Sequence, residues 1–162
     1  MNNHLDYETF VRDNREYLEG FKDKRVIVTY GGGKDASVIL HYFLQAQKEF
    51  GFSFETHAMI YPKHVYTAVE QDKLDNYWKD RGVPIIWHTI DEDESAFEAA
   101  MKNGTNPCEA CHAIKRKHSL KYLERTVTDW NKLAIVIGWS LWDIVGYTLE
   151  YIFGSVYTDR EA

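Results

Sequence analysis

Arg25-Val26-Ile27-Val28-Thr29-Tyr30-Gly31-Gly32-Gly33-Lys34-Asp35-Ala36-Ser37-Val38-Ile39-Leu40 decides the fold of this chain. A β-branched run enters three glycines and leaves as an amphipathic helix, with Lys34 and Asp35 at the turn. Glycines let the backbone approach a ligand closely and take conformations that a side chain forbids. The helix that follows aims free N–H groups, and the positive end of its dipole, into the loop. That is the outline of a phosphate site. It is neither of the two commonest forms, because the GxxxxGKS/T and GxGxxG spacings are both absent.

Outward from this stretch, strands and helices alternate. The periodicity predicts a helix from about Leu5 to Phe21, a strand from Arg25 to Tyr30 and a helix from Asp35 to Phe50. A strand over Phe52 to Tyr61 follows, closed by Pro62, then a helix from Tyr66 to Arg81 that stops at Gly82. Val83 to Thr89 reads as the third strand, and the acidic turn Asp91 to Glu94 opens a short helix over Ala96 to Met101. Asn103 to Pro107 reads as a loop, Glu109 to Thr128 as a long helix, Leu133 to Ile137 as the fourth strand and Leu141 to Ile152 as the last helix. This order predicts an α/β fold, a Rossmann-like doubly wound parallel sheet in three α/β/α layers. We expect a single domain over residues 1–162, with an N-terminal helix in 1–22, a core over 23–153 and a tail at 154–162. Ligands of such sheets bind at the C-terminal ends of the strands. Three features far apart in sequence meet on that edge: the glycine loop, the exit Ile60-Tyr61-Pro62, and Gly138-Trp139-Ser140.

The net charge of −6 excludes a wholly electrostatic nucleic-acid binder, so any RNA contact needs a local basic patch. Lys117, Lys121 and Arg125 recur every four residues on one helix face, with Lys115 and Arg116 beside them. A solvated helix face has the same pattern. Aromatic residues make up 15% of the chain, and its five tryptophans suggest aromatic surface beyond the core. No segment resembles a signal peptide or a membrane span, so the cytoplasm is the expected compartment. Cys108 and Cys111 are the only cysteines. In such a protein a CxxC pair points to metal binding or redox chemistry rather than a structural disulfide, and two reduced, inert thiols are the plain alternative. His57, His64 and His88 lack a spacing that implies a shared metal, and read as structural or surface residues.

Gly31-Gly32-Gly33-Lys34-Asp35-Ala36-Ser37 resembles the SGGxDS pyrophosphate-binding loop of the adenine nucleotide alpha hydrolases, the PP-loop ATP pyrophosphatases. Gly32, Gly33 and Asp35 match, Lys34 occupies the variable position, and Gly31 and Ala36 replace the two serines. Pro107-Cys108-Glu109-Ala110-Cys111, followed by a basic helix, resembles the CxxC segment of the tRNA-thiolating members, such as the 2-thiocytidine synthetases. Gly138 and Asp143 match a GHxxDD-like motif, in which Trp139 and Trp142 replace the histidine and the first aspartate. The resemblance implies ATP and Mg2+ as cofactors, with Tyr30 to Ser37, Ile60 and Gly138 around the nucleotide. It implies catalytic roles for Lys34, Asp35, Asp143, Cys108 and Cys111. The activity implied is adenylation of a substrate, with AMP displaced by sulfur on a tRNA base. A sulfonucleotide reductase-like enzyme, or a nucleotide-binding module without turnover, are the alternatives, the latter because both serines are missing. Cys108 and Cys111 are also candidate ligands for an iron–sulfur cluster or Zn2+. One CxxC does not complete a four-coordinate site, which leaves room for an outside ligand or a homodimer.

Overall fold

In the computed structural model of the chain, the described residues are 6–60, 68–90, 95–104, 107–140, 142–146, 148–149 and 152. Helix α1 (Tyr7–Glu19) starts at Asp6, whose carboxylate accepts from the Thr9 N–H at 2.7 Å, and it buries Phe10, Val11 and Leu18. Strand β1 (Arg25–Thr29) is apolar through Val26, Ile27 and Val28, all buried. Helix α2 (Lys34–Phe50) turns Ala36, Leu40, Phe43 and Ala46 inward at helical spacing. It ends at Gly51, whose φ of 71° is a left-handed C-terminal stop. Strand β2 (Phe54–Ile60), helix α3 (Ala68–Lys79), strand β3 (Ile85–Thr89), helix α4 (Ser95–Asn103), helix α5 (Pro107–Thr126) and strand β4 (Leu133–Ile137) complete the core.

The four strands are parallel and ordered β3-β2-β1-β4. The chain steps outward from β1 to β3, then crosses back to lay β4 on the other side of β1. Val28 therefore pairs with Thr56 on one side and Val136 on the other. Right-handed crossovers put α2 and α3 on one face and the return through α5 on the opposite face. Packing agrees with this. Phe10, Leu40, Phe43 and Trp78 form one apolar cluster with Val26, Val28 and Ala58. Tyr122 of α5 lies against His57 and His88 on the other face. The doubly wound three-layer sheet expected from the sequence is the fold observed.

Element boundaries differ from the sequence reading in three informative places. α5 begins at Pro107 rather than Glu109, because proline is favoured in a first helical turn, where its missing N–H costs nothing. α4 extends through Asn103, and a 3₁₀ turn at Trp130–Lys132, capped by Asp129, leads into β4. The expected exit at Tyr61-Pro62, the helix start at Tyr66, the acidic turn at Asp91 to Glu94, and the 154–162 tail lie outside the described residues. Of the expected last helix, residues 142–146, 148–149 and 152 are helical.

Candidate functional site

Strand order reverses between β1 and β4, so the crevice of this sheet opens where those two strands end. The glycine loop leaves β1 at that point. Gly32 has φ 71°, a conformation that holds a residue with a side chain only under strain. Gly33 is the extended N-cap of α2 and offers no side-chain cap. The first-turn N–H groups of Lys34, Asp35 and Ala36 thus lack the capping oxygen that usually satisfies them. A Cβ placed at Gly31 or Gly33 would meet nothing within 4 Å, so the loop borders open space. Lys34 is 86% exposed and Asp35 44%, and their contact of 3.4 Å is a weak surface pair that a ligand can readily displace.

The loop is held from behind. Tyr30 is buried, and its N–H donates to the His57 carbonyl at 2.8 Å. Its hydroxyl accepts from the Trp78 Nε1–H at 2.9 Å and lies 3.5 Å from the Ser37 Oγ. Ser37 in turn donates its hydroxyl to the Gly33 carbonyl at 2.9 Å. The one hydroxyl within the loop motif is thereby engaged with the loop's own backbone. Ala36 is buried.

The exit of β4 presses on the same turn. A Cβ at Gly138 would stand 2.9 Å from the Ala36 Cα and 3.0 Å from the Ala36 N. Only glycine lets these two backbones meet. Two residues on, Ser140 and Asp143 form a capping box. The Ser140 N–H and hydroxyl donate to Asp143 Oδ2 at 2.7 Å and 2.6 Å, and the Asp143 N–H donates back to the Ser140 Oγ at 3.3 Å. The Ser140 hydroxyl and N–H hold the Asp143 carboxyl below the usual carboxylate range, and the positive charge of Lys34 adds to this. Asp143 is thus tied to the start of its own helix. Two helix N-termini and one lysine therefore share the end of the β1–β4 pair. Beside them, Trp139 is 54% exposed and Trp142 81%.

At the neighbouring strand ends, the Ile60 carbonyl accepts from the Ile90 N–H at 2.9 Å, and the Ile60 side chain is buried. Any contact of Ile60 with a ligand is therefore a backbone contact. Ile90 packs with Met59 and with Cys111 and Ile114 of α5, which places the cysteine helix at this same edge. Cys111 is half-buried on α5, and Cys108 stands three residues before it in the same helix. Among the described residues no group of three or more histidines, cysteines and carboxylates is arranged to hold a metal. Lys117, Lys121 and Arg125 are exposed along α5.

Sequence reasoning missed one constellation. His57 Nδ1 lies 2.8 Å from His88 Nε2, the two rings meet edge to edge with centres 5.0 Å apart and planes 18° apart, and Glu55 and Arg25 continue the chain. The signal was present as Glu55-x-His57, polar residues on one face of a strand that should be covered, but its partner depends on the β2–β3 register.

No protein-family model and no curated protein sequence matches the chain. Among solved structures it is similar to the U34-tRNA thiolase NcsA from Methanococcus maripaludis, determined with its 4Fe-4S cluster. The TM-score is 0.59 at 18% identity, over 93% of this chain and 53% of that one. The chain thus spans about half the length of the thiolase, and at this identity the likeness establishes a shared fold. Among the described residues no helix is long and apolar enough to cross a membrane.

Proposed function

We propose that this chain binds Mg-ATP in the Gly31–Asp35 loop and transfers its adenylyl group to a nucleobase carbonyl oxygen, for replacement by sulfur. The observation that carries the reading is the meeting, at the strand-order reversal, of an uncapped α2 N-terminus with the Gly138–Asp143 segment. In this reading the N–H groups of Gly32 to Asp35 hold the phosphates and Lys34 offsets their charge. Lys34 also stabilises the pyrophosphate as it leaves. Asp35, an exposed carboxylate at the loop, suits a Mg2+ shared with the phosphates, since Mg2+ sites typically combine one or two carboxylates with substrate oxygens. Ile60 contributes backbone groups to the adenine, and Asp143 keeps the second helix N-terminus in place.

Sulfur delivery falls to Cys108 and Cys111, whose helix starts at the same edge. Two thiols do not complete an iron–sulfur or zinc site. Cys108 and Cys111 would hold such a group together with ligands from elsewhere, and no step is routed through it. The acceptor proposed is tRNA, guided by Lys115, Arg116, Lys117, Lys121 and Arg125. The fold shared with a tRNA thiolase supports this choice of substrate class.

A second reading rests on a specific observation. The loop's one hydroxyl is engaged with Gly33, and Ala36 has none, which favours a nucleotide-binding module without turnover. Incubation with Mg-ATP, a tRNA pool and a sulfide or persulfide donor separates the two. The enzyme reading expects AMP and pyrophosphate in equal amounts, with Asp35→Ala or Lys34→Ala lowering the rate on the order of a hundredfold. ATP binding without AMP under these conditions selects the binding module and removes the adenylation claim.

A further inference from the structure

The face of the sheet that α5 covers is polar where it is usually apolar. Arg25 at the start of β1 makes a two-pronged contact with Glu55, Nε to Oε1 and Nη2 to Oε2 both at 2.9 Å. Glu55 Oε2 lies 3.0 Å from His57 Nε2, and His57 Nδ1 lies 2.8 Å from His88 Nε2. From α5, Tyr122 closes over both imidazoles, 5.3 Å and 4.6 Å between ring centres, and His118 approaches His88 at 6.3 Å. Arg25 also donates to the Tyr122 hydroxyl at 3.2 Å and to the Thr126 carbonyl at 3.2 Å, fastening the end of α5 to the sheet. His57 is 6% exposed.

Connectivity sets the proton positions. Glu55, held ionised by Arg25, only accepts, so the neutral His57 carries its proton on Nε2. Its Nδ1 is then an acceptor, and His88 must donate through Nε2–H. One added proton is compatible with this chain, because the pair still shares a single N–H between facing nitrogens. A second is not: both facing nitrogens would then carry protons across 2.8 Å.

We propose that the hydrogen-bonded His57–His88 pair is a proton-operated latch that keeps α5 on the sheet at neutral pH and releases it in mild acid. The groups facing the pair, among the described residues, are Arg25 from β1, Glu55 from β2, and His118 and Tyr122 from α5. Burial is the main cause that lowers both histidines below 6.5, with Arg25 opposing charge on His57, and His57 and His118 opposing it on His88. Glu55 pulls the other way on His57 without reversing the direction. A histidine lowered in the closed state adds stability above 6.5 that is lost as pH falls through its lowered value. The latch carries α5, and with it the cysteine pair, so acid uncouples the thiols from the sheet edge.

Hydrogen exchange of the intact protein from pH 7.5 to 5.0, corrected for intrinsic exchange, tests this. Protection over residues 115–126 is expected to fall below pH 6.5 by roughly tenfold per pH unit for each proton taken up, while α1 and α2 stay protected. His88→Gln keeps an N–H donor for His57 but does not titrate, and is expected to hold α5 protection at pH 5.0 within a few-fold of its pH 7.5 value. In the wild type, imidazole nitrogen spectra should show the Nε2–H form for both rings at pH 7.5. Constant α5 protection, loss shared equally by α1 and α2, or an Nδ1–H form of His57 overturns the latch, whether or not the variant folds.

Discussion

Trp78→Ala is expected to lower stability by about 4 kcal/mol, within the usual range for deleting a buried tryptophan. In a protein of this size that corresponds to a drop of roughly 10 °C in the thermal midpoint. Trp78 is 1% exposed, and its ring sits edge-on to Tyr30 at 5.8 Å. The indole N–H holds the Tyr30 hydroxyl at 2.9 Å, and that hydroxyl lies beside Ser37 at the start of α2. Removing the ring thus opens a cavity in the core and releases the back of the glycine loop. Trp78→Phe separates the two effects. It keeps most of the volume, removes the donor, and should cost only about 1 kcal/mol. Thermal denaturation of the three proteins checks both values. Equal losses for the two variants would mean that the hydrogen bond, not the packing, dominates.

Gly138→Ala is expected to fold and to weaken ATP binding by about tenfold or more, equivalent to ~1.4 kcal/mol. The added Cβ meets Ala36 backbone atoms at 2.9 and 3.0 Å, and backbone has no rotamer with which to yield. Relief requires the first turn of α2 to move away from β4. That turn carries the N–H groups proposed to hold phosphate, so the cost appears in binding as well as in stability. Gly31→Ser makes the control. Its Cβ meets nothing within 4 Å, and the position needs no left-handed backbone, so binding should stay within a few-fold of wild type.

Most of the architecture was legible because the decisive signals are local. A β-branched run into Gly31-Gly32-Gly33 and out along an amphipathic helix defines one βα unit, and the remaining alternation of strands and helices leaves few topologies. Gly138 was legible as a member of the strand-end edge, but its contact with Ala36 was not, since that depends on how closely β4 and α2 approach. Ser140-x-x-Asp143 is a helix-start signature readable from the chain alone, and the structure forms it. The histidine pair was out of reach for a physical reason. His57 and His88 are 31 residues apart and meet only because β2 and β3 pair with Ala58 opposite Trp87. A shift of one residue would turn every β3 side chain to the other face.

Calorimetric titration of the wild-type chain with Mg-ATP, beside Gly138→Ala, tests the nucleotide site most directly. We expect one ATP bound per chain, with the variant weaker by about tenfold or more. No binding by the folded wild type, or equal affinity in the two proteins, would contradict an ATP site built where the glycine loop meets the end of β4.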